Sequence, residues 1–129
     1  MQVAVYGSLR KGLSNHRLVK DSEFKGQFET DHKYNLISLG GFPGLLKGGS
    51  TSVVMEVYEV DTKTLRSLDS LEGYSAQRKP SQNFYNREKI DSPLGQVSVY
   101  FLNRTDISPS TPNVDSGDWV DFYKTSKAL

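Results

Sequence analysis

The chain has 129 residues, with 16 Lys and Arg against 15 Asp and Glu, a formal charge of +1 at pH 7, and no cysteine. That length suits one domain, residues 1–129, able to bury roughly two-thirds of its unfolded surface. The balanced charge, without a long like-charge block, gives no nucleic-acid footprint, and the missing cysteines exclude disulfides, thiolate metal sites and cysteine nucleophiles.

Val3-Ala4-Val5-Tyr6 is a short apolar run that predicts a strand buried on both faces. Gly7-Ser8 breaks it, and Gly12 closes a polar turn carrying Arg10 and Lys11. A buried strand that stops in a glycine loop leaves backbone N–H groups free at its end, where they can hold an anion or a developing oxyanion. An ordinary surface turn accounts for the same pattern. Ser14 to Val19 predicts one helical turn capped by Ser14 or Asn15.

Glu23 to Glu29 reads as a half-exposed strand with a glycine bulge at Gly26. Tyr34 to Leu39 is a further strand, followed by a turn-rich stretch, 40–46, whose Phe42 and leucines are expected to be partly buried. Val53 to Val60 is the clearest strand. Its alternation sends Glu56 and Glu59 to opposite faces. Asp61 or Thr62 caps a helix over Lys63–Glu72, and Gly73 stands where a left-handed C-terminal cap belongs. After a polar loop to Gln82, Asn83–Ile90 and Gly95–Leu102 read as a hairpin. A proline-containing loop then leads to an aromatic tail, 116–123, docked on the body. Many short strands with one good helix predict a closed or strongly curved mixed sheet.

The sharpest chemical signal is an acid in an apolar stripe. Leu65, Leu68 and Glu72 follow i, i+3, i+7 spacing, which puts Glu72 about 20° from Leu65 on the helix. Partial burial in the last turn of a helix raises a carboxyl pKa and suits it to general acid–base work. Outward fraying, or pairing with Arg78 or Arg87, would give the same sequence a structural role. Asp69, at the rim of the stripe, reads as a solvated or structural acid.

Other motifs fail on chemistry. Gly7 and Gly12 have the glycine spacing of a phosphate loop, but Leu13 stands where its lysine must be. Ser8 lacks a nucleophile elbow and an identifiable histidine–acid pair. His16 suits a hydrogen-bonding role better than a base, and with His32 it has no ligand spacing, so no metal site is expected. No stretch reaches the roughly 18 apolar residues of a membrane span. A cytoplasmic protein with no membrane partner is expected.

Four blocks carry a resemblance: Val5-Tyr6-Gly7-Ser8-Leu9-Arg10-Lys11-Gly12 with Asn15-His16, then Gly41-Phe42-Pro43-Gly44-Leu45, then Glu56 to Asp61 running into Leu71-Glu72-Gly73, and last Tyr85-Asn86-Arg87. With the Ser116-Gly117-Asp118-Trp119 tail, they resemble the γ-glutamylcyclotransferase-like family, in its γ-glutamylamine cyclotransferase and AIG2-like branch of small bacterial members. The resemblance implies a mixed α/β fold built on a small closed β-barrel, without metal or organic cofactor. It implies a small-molecule γ-glutamyl substrate and intramolecular aminolysis: the substrate's α-amine attacks its own γ-carbonyl and releases 5-oxoproline. The family's essential glutamate falls on Glu72 and its substrate-holding loop on Tyr6, Gly7, Ser8 and Leu9. Tyr6 and Tyr85 would wall the cavity, with the Tyr85 hydroxyl as a donor. Met55 stands where the family often has glycine, and an inward-pointing side chain there would narrow the cavity. A non-enzymatic module that binds a small ligand on the same fold is the alternative.

Overall fold

The computed structural model describes residues 1–103 and 107–128, with side chains to residue 125. Its strands are β1 (Gln2–Val5), β2 (Glu23–Glu29), β3 (Tyr34–Ser38), β4 (Pro43–Lys47), β5 (Val54–Glu59), β6 (Tyr85–Ser92) and β7 (Gly95–Leu102). Its helices are α1 (Thr62–Leu71) and α2 (Trp119–Ala128), with short 3-10 turns at Ser14–Leu18 and Pro80–Gln82. The loop expected after Leu102 includes 104–106, which lie outside the described residues.

β1 is the centre of a five-stranded sheet ordered β2-β5-β1-β7-β6. It runs antiparallel to β5 and parallel to β7. Flanked on both sides, its Val3, Ala4 and Val5 are all buried, as a continuous apolar run requires. Alternation then splits the apolar side chains between two clusters. One joins Ala4, Met55, Val57, Val97, Val99 and Trp119 to Leu36 of β3 and Leu45 of β4. The other joins Val3, Val5, Tyr58 and Tyr100 to Leu68 of α1 and Val19.

The expected closed barrel is not what the described strands form. β3 and β4 make a separate two-stranded ribbon, and the edge strands β2 and β6 are not paired to each other. Isolated bridges join the ribbon to its surroundings, Tyr34 to Thr51 and Ile37 to Asn113, and Leu36 and Leu45 pack it into the core. The architecture is mixed α+β with an open principal sheet.

Local chemistry accounts for the differences from the expected elements. The 40–46 stretch is not only a turn: Pro43 opens β4, where its missing N–H costs nothing, and the strand pairs with β3 from Ser38↔Pro43 to Tyr34↔Lys47. Phe42, expected to be partly buried, is 40% exposed at the hairpin tip. The aromatic tail is a helix, with Asp118 Oδ1 accepting from Asp121 N at its start. Trp119 then stacks on Phe122 and meets Tyr123 at a tilt, at i+3 and i+4 spacing. Neither Ser14 nor Asn15 caps the first 3-10 turn, whose cap position is Leu13. The Gly26 bulge in β2 occurs where expected.

Candidate functional site

Three local events converge at the C-terminal end of β1. The chain leaves the strand through Tyr6, Gly7, Ser8 and Leu9, which pack beneath the start of β4. A Cβ added to Gly7 would sit 2.8 Å from both Cγ and Cδ of Pro43, closer than side chains tolerate. Only glycine lets the loop and β4 approach this closely.

Next, α1 ends on Glu72. Asp61 caps its start by accepting from Thr64 N at 2.7 Å. Glu72 is the C-terminal cap residue, and Gly73 follows in the left-handed conformation at φ +64°. Third, β6 begins against this corner: Phe84 N donates to Gly73 O at 3.1 Å and Tyr85 N to Glu72 O at 3.3 Å.

Between these elements lies a cavity of about 440 Å³. Tyr6, Gly7, Ser8, Leu9, Glu72 and Tyr85 all line it, together with Asn15, Phe42, Leu71 and Phe84. Glu72 is the only charged side chain among its described lining residues. Among the described residues no group of three His, Asp or Glu side chains converges as a metal ion would need.

Glu72 is half-buried. Burial pushes its carboxyl up to about 7. Neither Arg78 nor Arg87 neutralises it. Arg87 Nη1 is instead bound to both oxygens of Asp69, at 2.8 and 2.7 Å. Tyr100 also donates to Asp69 Oδ1 at 2.6 Å, so Asp69 is the structural acid of the pair. The Glu72 carboxylate has no hydrogen-bond partner among the described residues.

The loop supplies the complementary chemistry. Its own bonds run elsewhere: Gly7 O accepts from Arg10 N, and Ser8 O accepts from Asn15 N. The N–H groups of Gly7, Ser8 and Leu9 meet no protein acceptor among the described residues. Ser8 Oγ accepts from Asn15 Nδ2 at 2.8 Å, which orients the hydroxyl rather than activating it. His16 Nδ1 lies 3.0 Å from Leu9 O, a structural contact to the same loop.

The two tyrosines wall the cavity, but their protons are committed. Tyr6 donates to Tyr100 O at 2.5 Å and Tyr85 to Pro43 O at 2.6 Å. The expected role of the Tyr85 hydroxyl as a free donor is therefore corrected: it ties β6 to β4. Burial raises both phenols above their usual range, with the nearby Glu72 carboxylate adding to the effect on each. Met55 is fully buried among Phe28, Val57 and Trp119 and does not line the cavity, so it does not narrow it.

Behind the loop is a network that sequence reasoning missed. Arg10 Nε lies 2.9 Å from Glu56 Oε2, with each side chain 7% exposed. Glu56 Oε1 also accepts from Lys11 N at 3.0 Å and from Tyr58 OH at 2.7 Å. Arg10 Nη1 reaches Asp118 Oδ1 at 2.7 Å, linking the loop to the start of α2. An inward-facing glutamate in the clearest strand was the available signal, since a buried charge needs a partner.

Sequence and fold both match known proteins. The chain belongs to the family described as "Gamma-glutamyl cyclotransferase, AIG2-like", whose model matches residues 3–121. A relative from Vibrio cholerae is 43% identical over 117 residues, 91% of this chain and 93% of its own. The Escherichia coli protein named "Gamma-glutamylcyclotransferase family protein YtfP" is 35% identical over 96% of this chain and all of its own length. The solution structure of YtfP superposes with a TM-score of 0.70 over 95% of this chain and 99% of its own. The bovine "Gamma-glutamylaminecyclotransferase" is 40% identical over 101 residues, which are 71% of this chain and 60% of that protein.

Proposed function

We propose that this protein is a cytoplasmic cyclotransferase that converts a γ-glutamyl compound into 5-oxoproline and a free amine or amino acid. The observation that carries this reading is Glu72: a carboxylate near pKa 7, without a partner among the described residues, in a cavity lined also by Gly7, Ser8 and Leu9.

The chemistry needs both features. The substrate's α-ammonium has no lone pair, so Glu72 first removes a proton from it. The amine nitrogen then attacks the γ-carbonyl carbon, and the carbonyl π electrons move to oxygen. Collapse of the oxyanion breaks the bond to the leaving nitrogen. Across the reaction the attacking nitrogen loses two protons and the leaving nitrogen gains two, relayed by Glu72. Glu72 ends ionised, the leaving group departs as an ammonium, and no water is consumed.

A group that must take and return protons at neutral pH works best with a pKa near that pH. The N–H groups of Gly7, Ser8 and Leu9 serve the negative charges on the path, the substrate α-carboxylate or the oxyanion. Ring closure is intramolecular, so the site's remaining task is to hold the glutamyl chain folded, between Tyr6 and Tyr85.

The test is 5-oxoproline release from γ-glutamyl amino acids, γ-glutamylamines and glutathione, comparing wild type with Glu72→Gln. Release that depends on Glu72 is expected. A folded wild-type protein that releases nothing from any of them would favour the binding module instead.

A further inference from the structure

Among the described residues, five large apolar side chains are exposed, and three of them, Phe42, Leu71 and Phe84, line the cavity. They are 40%, 44% and 44% exposed. They come from three separate elements: the β3–β4 tip, the last residue of α1, and the residue before β6. Phe42 and Phe84 face one another with ring centroids 6.1 Å apart and planes at 56°, and Phe84 continues to Tyr85 at 5.2 Å. A contiguous exposed apolar patch marks a surface that a ligand or partner covers.

Leu71 and Phe84 are held beside Glu72 by the backbone. Leu71 precedes Glu72 in the chain, and Phe84 N is hydrogen-bonded to Gly73 O, the next residue on the other side. An apolar rim therefore begins within one residue of the carboxylate in both directions. The glutamyl half of a substrate needs polar partners, and Glu72 and the Gly7–Leu9 amides provide them. What remains of the substrate is the group on the departing nitrogen, which must lie beside Glu72 to receive its protons and extend outward over the rim.

We propose that Phe42, Leu71 and Phe84 form a leaving-group subsite, and that the preferred substrates are γ-glutamyl amides of amines with an uncharged apolar substituent. The proposal rests on the cyclotransferase reading above and makes it specific. The rim offers no charged partner among its described residues, so a terminal carboxylate or ammonium placed there exchanges hydration for an aromatic surface.

Kcat/KM is measured for the γ-glutamyl derivatives of ethylamine, butylamine and hexylamine, and for those of 4-aminobutyrate and 1,4-diaminobutane as chain-matched charged analogues. Kcat/KM should rise about threefold per added methylene, the scale of covering a methylene on a partly open surface. Butylamine should be preferred over both charged analogues. Phe42→Ser and Phe84→Ser, at exposed positions, should flatten the dependence on chain length. Binding of the alkylamine series to Glu72→Gln gives the same dependence in Kd without turnover. A flat series, or preference for a charged analogue, would overturn the subsite while leaving the cyclotransferase reading intact. Absence of 5-oxoproline from every compound would overturn that reading and the leaving-group role together.

Discussion

Arg87 Nη1 is held between the two carboxylate oxygens of Asp69, three residues before Glu72. Arg87 stands opposite Tyr100 in the β6–β7 register, and both side chains converge on Asp69. Arg87 is thereby committed to Asp69, where α1 faces β6 and β7. Glu72 has no counter-ion among the described residues, and burial raises its proton affinity.

That rise has a stability consequence. An ordinary carboxyl near 4.5 becomes one near 7, so between those pH values the folded protein binds the Glu72 proton more tightly than the unfolded chain does. Stability therefore falls as pH rises through that window, by about 3 kcal/mol in all, and is fully regained below it. Glu72→Gln should remove this dependence. The variant is expected to melt higher than wild type at pH 8 and nearly with it at pH 4.5, as read by thermal denaturation across pH.

The same titration should govern turnover. Glu72 must be ionised to accept the first proton, so kcat/KM is expected to rise with pH up to about 7, tenfold per pH unit on the acid side. Glu72→Gln should lower kcat by about 10²- to 10⁴-fold. A pH profile of 5-oxoproline release checks the first expectation, and a single-pH comparison checks the second.

Gly7→Ala places a methyl group 2.8 Å from two Pro43 carbons. Relief requires the loop or the start of β4 to move, at a cost of about 1–3 kcal/mol typical of overpacking. Because the displaced segment carries the cavity's free N–H groups, KM should rise more than kcat falls. Urea denaturation and steady-state kinetics on the same preparation test both parts.

The ion pair behind the loop should dominate its stability. Arg10→Met leaves the Glu56 carboxylate buried with only Lys11 N–H and Tyr58 OH. Breaking such a pair from one side costs about 3–5 kcal/mol. Asp118, whose side chain is 35% exposed, keeps solvent access, so Asp118→Asn should cost less than about 1 kcal/mol. Chemical denaturation of the two variants gives the contrast.

Much of this protein follows from local pattern. Val3 to Val5 reads as a buried strand because every side chain in it is apolar and β-prone, and the centre of the sheet is the place that buries both faces. Asp61 and Gly73 bracket α1 because capping is a property of a few adjacent residues. Glu72 stands out for the same reason: helical spacing alone puts it in line with Leu65 and Leu68. The hidden β4 and α2 had weaker signals, since Gly-Phe-Pro-Gly reads as a turn until a partner strand supplies its hydrogen bonds, and the i, i+3, i+4 aromatics of the tail are a single turn's worth of pattern.

Tertiary structure decided what local pattern leaves open. Which arginine meets which acid depends on the β6–β7 register, and the raised proton affinity of Glu72 depends on its burial in the folded chain. The openness of the sheet depends on pairing between edges far apart in the chain. The cavity is bounded by residues from Tyr6 to Tyr100, and Phe42, Leu71 and Phe84 become one apolar rim only where a hairpin tip, a helix end and a strand start meet. By itself the sequence determined elements with strong local pattern, such as β1 and α1, and the acid that stands out among them. The burial of that acid, and the surface facing it, come from long-range contacts that exist only in the folded chain.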